Sequence, residues 1–227
     1  DRLGIVVFQD MVNNGKYSFL SDTVLPTIGV RRRSDHRLHR DPETRAQFLA
    51  AMDETVVLLQ KHPCICYWTI FNEGWGQFDS QAQFERLRAL DDSRFIDTTS
   101  GWFRCDRSDV DSLHIYFKPV KLPRTDLPLS LSEFGGYSYK PENHVFNTEK
   151  TYGYRFFKKQ AAFMDALERL YLDEIVPARD AGLCAAIYTQ LSDVEDETNG
   201  LLSYDRAVCK ADEARMRTIA EKLRFSE

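Results

Sequence analysis

Apolar residues along this chain come in short runs of two kinds. Some are continuous and β-branched or aromatic, as in strands covered on both faces; others recur every three or four positions, as on one face of a helix. Leu3–Phe8 is the first continuous run, and it ends in Gln9-Asp10-Met11. A polar residue at the end of such a strand is either a loop cap or a site residue, and Asp10 is open to both readings. Val12 to Arg40 has loop character, with Asn13-Asn14-Gly15 as a turn signal. Loops of that length are uncommon unless they serve a function. Asp41-Pro42-Glu43 opens a helix, with the aspartate as cap and the proline in the first turn, where its missing N–H has no partner to lose. Phe48, Met52, Val56 and Leu59 continue at helical spacing, and His62-Pro63 stops it. A strand over 64–71 comes next. Ser80 and Gln83 then make a capping-box pattern ahead of a helix carrying Phe84, Leu87 and Leu90.

Short strands are predicted over 94–99, 111–116 and 127–132. A long helix is predicted from near Tyr154 towards Arg179, with Phe157, Ala161, Met164, Leu167, Tyr171 and Ile175 along its buried stripe and Pro177 and Gly182 at its end. A strand over 183–190, an acidic loop with Asn199-Gly200, and a helix over about 210–224 complete the chain. Strands alternating with helices argue for a parallel sheet with helices outside, an α/β fold. Six strands are counted, whereas a closed (β/α)8 TIM barrel needs eight and about 250 residues. The expectation is one domain over 1–227, about three quarters of such a barrel, with two strand–helix units missing before Asp1.

Composition narrows the partners. The 227 residues are 43% hydrophobic and 29% charged with a net charge of −5, ordinary for a soluble globular domain large enough to bury a core. No sustained basic face exists, so nucleic acid is not an expected partner. The local run Arg31-Arg32-Arg33, continuing through His36, Arg37, His39 and Arg40, reads as a solvated loop or a domain or subunit contact. No apolar run approaches the roughly 18 residues of a membrane helix, and no basic-then-apolar leader opens the chain. A chain that enters a core strand almost at once reads as a piece of a longer protein. The five cysteines match no zinc spacing and read as buried free thiols, which favours a reducing compartment such as the cytoplasm; export stays open because the N-terminus reads as a cut end.

The chemistry concentrates at two strand ends. Tyr67-Trp68-Thr69-Ile70-Phe71 runs into Asn72-Glu73-Gly74, and Leu129-Ser130-Leu131-Ser132 runs into Glu133-Phe134-Gly135-Gly136. Two carboxylates at the ends of two buried parallel strands are the minimum for acid/base and nucleophilic work on a glycosidic bond.

These residues resemble the retaining glycosidases built on a (β/α)8 barrel, in which an Asn-Glu pair closes strand four and a second Glu closes strand seven. That numbering makes Leu3–Phe8 strand three, so the chain would hold strands three to eight. More narrowly, the chain is similar to glycoside hydrolase family 2, which holds β-galactosidases, β-glucuronidases and β-mannosidases. The supporting stretches are Gly4–Met11, Trp68–Glu73, Leu131–Gly136, Tyr188–Leu191 and Asn199–Arg206. Family members usually carry β-sandwich domains before the barrel, and none is present here. An open barrel would leave two unpaired sheet edges, so the isolated chain is expected to be weak or inactive and to associate with itself through those edges.

The resemblance implies Glu73 as general acid and then base, Glu133 as nucleophile, Asn72 as the contact to the sugar 2-hydroxyl, and Tyr116 as a hydrogen-bond donor aiming the nucleophile. It places Tyr188 where many relatives carry a tryptophan sugar platform. Trp68 and Trp75 are candidates for desolvating Glu73, and Trp102 is a platform or a packing residue. His114, two residues before Tyr116, lines the site or belongs to the core. The acidic cluster Asp193, Glu195, Asp196 and Glu197 is a solvated loop or a divalent-cation site; no other cofactor is implied. Glucuronidases of the family place an Asn-x-Lys signature where this chain has Glu197, Thr198 and Asn199. No cation is offered there, which favours a neutral sugar: a β-galactoside first, with β-mannoside and β-glucuronide behind. The competing readings are a non-catalytic sugar-binding barrel and metal-assisted hydrolysis.

Overall fold

The computed structural model of the chain describes residues 1–12, 18, 20, 24–25, 35–36, 38–101 and 107–224. The Asn13-Asn14-Gly15 turn, the Arg31–Arg33 run, Trp102 and Cys105 lie outside them. Eight strands are described, β1 (Val7–Asp10), β2 (Ile65–Phe71), β3 (Phe95–Thr99), β4 (Asp111–Ile115), β5 (Leu129–Gly135), β6 (Tyr137–Tyr139), β7 (Arg155–Phe157) and β8 (Leu183–Thr189). The helices are α1 (Pro42–Leu59), α2 (Ser80–Leu90), α3 (Gln160–Arg169), α4 (Val176–Asp180) and α5 (Glu213–Leu223). The chain divides into two compact units, 1–113 with 125–128, and 114–124 with 129–227. Among the described residues no helix is long and apolar enough to cross a membrane.

In the first unit β1, β2 and β3 pair in parallel in that order. β1 begins later than the apolar run suggests. Gly4 turns with a φ of 66°, its N–H closing on Asp1 O, and leaves Leu3, Ile5 and Val6 exposed. The expected double covering of this strand is therefore not found: Val7, Phe8 and Gln9 are half-buried and Asp10 is exposed. α1 packs Phe48, Met52 and Val56 against Trp68, Ile70 and Phe71 of β2 and Phe84 and Leu87 of α2, which is the core of this unit. Asp41 caps α1 as read, accepting from Thr44 N at 3.0 Å. α2 is capped differently from the predicted box. Its flanking residue Asp79 is left-handed, and the Ser80 N–H donates to Asp35 Oδ2 at 2.8 Å, a carboxylate delivered by the long loop.

Asp91, just past α2, ties this core to its strands. It accepts from Trp68 Nε1 at 2.8 Å, Ser93 Oγ at 2.6 Å and Arg94 Nη1 at 2.8 Å. Burial pushes its carboxyl up, but the hydrogen bonds from Ser93, Trp68 and Arg94 outweigh that and hold it at about 2, against an ordinary 3.8. A group depressed on folding stabilises the fold above its unfolded pKa and stops doing so as pH falls through its folded value. Asp91 should therefore contribute about 2 kcal/mol near neutral pH, lost between about pH 4 and pH 2. Thermal melts over that range should show the loss, and Asp91→Asn should start less stable and flatten that part of the profile.

In the second unit β5 and β8 pair in parallel. β6 and β7 form a small parallel pair inside what reads from sequence as a loop. Residues 155–157, predicted to be helical, are strand here, because Tyr154 N is already bonded to Gly136 O and β7 registers on β6. The helix starts at Gln160. Its buried face is Phe163, Met164, Ala166 and Leu167, whereas Ala161 of the predicted stripe is exposed. A π-helical turn over Leu170–Ile175 then widens the helix and shifts its phase. Pro177 sits at the start of α4, just after that wide turn, so the helix continues past it to Asp180.

Candidate active site

In the first unit the chemistry gathers where β2 ends. Asn72 and Glu73 wind into a single tight turn, and Glu73 has φ 53° and ψ 18°. A left-handed glutamate costs about 1 kcal/mol or more and is held only where the surroundings require it. Ser100, at the end of β3, supplies the hold. The Glu73 N–H donates to Ser100 Oγ at 3.1 Å, Ser100 Oγ donates to Asn72 Oδ1 at 2.6 Å, and Ser100 N–H donates to Phe71 O at 3.1 Å. With its oxygen engaged, Asn72 keeps its amide NH2 as a donor. Glu73 is buried, with 7% exposure. Trp68 is not a neighbour of this carboxylate in the way expected, since its indole faces the core and donates to Asp91. Asp10 lies at the end of β1, in register with Thr69 of β2.

In the second unit Glu133 leaves β5 at an irregularity. Leu131 pairs with Ala186 and Phe134 with Tyr188, so β5 carries one more residue than β8 across this stretch. Such a bulge re-aims a side chain. Tyr116 Oη donates to Glu133 Oε2 and lies 3.2 Å from Thr189 Oγ1. Burial pushes the Tyr116 phenol far up, and the adjacent Glu133 charge and Tyr154 push it further, so this hydroxyl stays protonated and donates. The buried His114 places Nδ1 3.5 Å from Glu133 Oε2. The open question over His114 thus resolves to a residue that faces Glu133 from a buried position.

The glycines after Glu133 have physical reasons. Gly135 and Gly136 have φ of 86° and 62°. A Cβ on Gly135 would collide with the Tyr188 ring, and one on Gly136 with the Tyr154 ring while pressing on Tyr116. Tyr188 is consequently a packing residue. Its ring lies over Gly135 against Phe134 and Tyr171, and its hydroxyl accepts from Tyr137 N at 3.2 Å. The platform position taken from the resemblance is filled by an aromatic ring, but that ring serves the fold, while its neighbour Thr189 reaches the Tyr116 hydroxyl.

The acidic loop is internally engaged. Lys210 is completely buried and donates to Asp193 Oδ1 at 2.7 Å, Thr198 O at 2.8 Å and Tyr139 O at 2.9 Å. Asp193 Oδ1 also accepts from Gly200 N at 2.8 Å. Burial pushes the Asp193 carboxyl up and the Lys210 ammonium down, while their mutual bond opposes both shifts. Gln190 Nε2 donates to Glu197 Oε2 and to Asn199 Oδ1, each at 2.8 Å. Asp193 is therefore the buried partner of a lysine, where the sequence suggested a solvated loop or a cation site. Ser100 and Lys210 were not singled out from sequence; Thr189 and Gln190 lie in the Tyr188–Leu191 stretch that supports the resemblance but had no role assigned, and the Asn199-Gly200 turn beside Lys210's partners carried a signal.

The model of the glycosyl hydrolases family 2, TIM barrel domain, matches residues 1–124. The chain belongs to glycoside hydrolase family 2. Among solved structures, this family 2 chain is similar to a GH2 β-galacturonidase from Eisenbergiella tayi bound to galacturonate, with a TM-score of 0.54 and 16% identity over 82% of this chain and 38% of that one. It is also similar to the β-glucuronidase of Parabacteroides merdae, with a TM-score of 0.51 and 15% identity over 99% of this chain and 32% of that one. At such identities the likeness concerns the fold, and the chain spans about a third of the length of these relatives. No curated protein matches the chain.

Proposed function

We propose that the protein is a retaining β-glycosidase that acts on a neutral sugar, a β-galactoside foremost. The observation that carries the proposal is the protonated Tyr116 hydroxyl donating to Glu133, which favours the ionised carboxylate and fixes its direction. An ionised, aimed carboxylate suits a nucleophile. In the first step a Glu133 oxygen bonds to the anomeric carbon while the bond from that carbon to the leaving-group oxygen breaks, and Glu73 gives that oxygen its proton. In the second step water bonds to the same carbon, the bond to Glu133 breaks, and Glu73 takes the proton back. Asn72, with its amide NH2 available, donates to the 2-hydroxyl of the sugar, a contact that strengthens as charge builds on the ring.

The preference for a neutral sugar rests on the loop after β8. Lys210, a cation of this loop, spends its three donors inside the protein, and one of the two residues that accept from Gln190 is a carboxylate, Glu197. A uronate beside the Glu197 carboxylate would meet repulsion that the engaged Lys210 does not offset. Initial rates on nitrophenyl β-galactoside, β-mannoside and β-glucuronide test this. The intact protein should favour the galactoside over the glucuronide by about tenfold or more in kcat/KM. The reverse order would overturn the neutral-sugar reading.

A further inference from the structure

The Tyr116 hydroxyl has two partners within the second unit and one proton to give. Its oxygen is bonded to Glu133 Oε2 and lies 3.2 Å from Thr189 Oγ1. A hydrogen bond to a charged carboxylate is about twice as strong as one to a neutral hydroxyl, so the phenol proton belongs to Glu133. The 3.2 Å contact then runs the other way, with the Thr189 hydroxyl donating into the phenol oxygen. The ring itself is held without this contact. Tyr116 stacks on Tyr154 with centroids 3.7 Å apart and planes at 3°, and Gly136 leaves the room for that stack. What the stack leaves free is rotation of the hydroxyl about its C–O bond. A donor at the oxygen removes that freedom.

Thr189 is itself fixed on both sides. It closes β8 in register with Gly135 of β5, two residues past Glu133, so the strand that carries the carboxylate also sets the threonine. The next residue, Gln190, donates its N–H to Asn199 O at 3.1 Å and accepts from Leu201 N at 3.0 Å, in the loop braced by Lys210. Alternation along β8 sends Tyr188 into the packing layer and Thr189 to the face of Tyr116. A bond donated to the phenol oxygen also polarises the phenol and strengthens its bond to Glu133, since linked hydrogen bonds reinforce one another. It works against the upward push of burial on Tyr116. We infer that Thr189 is a positioning residue for the nucleophile and acts through Tyr116: its hydroxyl donates to the phenol oxygen and thereby fixes the phenol proton on Glu133. This rests on the glycosidase reading of Glu133.

The test is the rate at which the intact protein is labelled by the dinitrophenyl 2-deoxy-2-fluoro glycoside of the sugar it cleaves fastest, in a double-mutant cycle over Thr189→Val and Tyr116→Phe. Valine keeps the size and the β-branch of threonine and removes only the hydroxyl. Thr189→Val should lower the maximal labelling rate about fivefold, the scale of one neutral hydrogen bond, and leave the half-saturating reagent concentration unchanged. Thr189→Ser, which restores the hydroxyl, should recover most of that loss. In the Tyr116→Phe background Thr189→Val should change nothing further, because the phenol oxygen it serves is gone. An unchanged rate in Thr189→Val, no recovery in Thr189→Ser, or equal losses with and without the Tyr116 hydroxyl would overturn the positioning role. A threonine that only supports the fold would give the last of these patterns. Any of them on a parent protein labelled at Glu133 leaves the glycosidase reading standing, whereas a parent protein that takes no label on Glu133 overturns both.

Discussion

Glu133→Gln should lower turnover of every β-glycoside by a factor on the order of 10⁴ to 10⁶, the scale seen when a covalent nucleophile is removed. Glutamine keeps the shape and still accepts from Tyr116, so the melting temperature should barely move. The effect separates from that of Glu73→Gln through the leaving group. Glu73 is assigned to protonate the departing oxygen, a role worth about 10² to 10⁴. A dinitrophenolate leaves without a proton, so Glu73→Gln should slow cleavage of a disaccharide far more than formation of the glycosyl-enzyme from a dinitrophenyl glycoside. Glu133→Gln should slow both alike. Steady-state and burst kinetics on the two substrates check this, and equal losses for the two variants on both substrates would contradict the assigned roles.

Lys210→Met should cost about 3–5 kcal/mol of stability, because it strands the buried Asp193 carboxylate and takes the lysine's hydrogen bonds from Tyr139 O and from Thr198 O, which keeps only the Tyr139 N–H at 3.2 Å. Asp193→Leu added to it should cost no more than Lys210→Met alone, since the uncompensated charge is gone. Recovery should be incomplete, because Gly200 N also loses its acceptor. Denaturant melts of the two singles and the double measure the coupling. The same variants should weaken activity beyond what stability explains, since Lys210 and Asp193 brace the loop that carries Glu197 and Asn199 against Gln190. A loss within experimental error for Lys210→Met would contradict the account of this loop.

What the sequence shows of this site follows from how local each signal is. β2 and β5 are legible because a buried run breaking into Asn-Glu-Gly or Glu-Phe-Gly-Gly is a contiguous pattern, and α1 is legible because Asp41-Pro42 caps it locally. β6 and β7 are not, since strands of three residues are too short to show a period. The long-helix stripe is legible at Met164, Leu167 and Ile175, which are buried, but its start is misplaced: Phe157 belongs to β7 and Ala161 is exposed. The capping of α2 by Asp35 depends on chain folding back from a distant loop. Ser100, Thr189 and Lys210 look like any serine, threonine or lysine in sequence, and gain their roles only from the strand or loop brought beside them. Tyr188 shows the limit of reasoning by position. The aromatic residue is at the expected place, but alternation along β8 and the missing side chain of Gly135 turn its ring into the packing layer.

The central claim is that Glu133 forms a covalent bond to the sugar. The direct measurement is mass spectrometry of the intact protein after incubation with a dinitrophenyl 2-deoxy-2-fluoro-β-galactoside, whose glycosyl-enzyme forms but breaks down slowly. The account predicts a mass increase of one fluorosugar per chain, located by peptide mapping on Glu133, and absent in Glu133→Gln. A label on another residue, or none while the glycoside is hydrolysed, would contradict it.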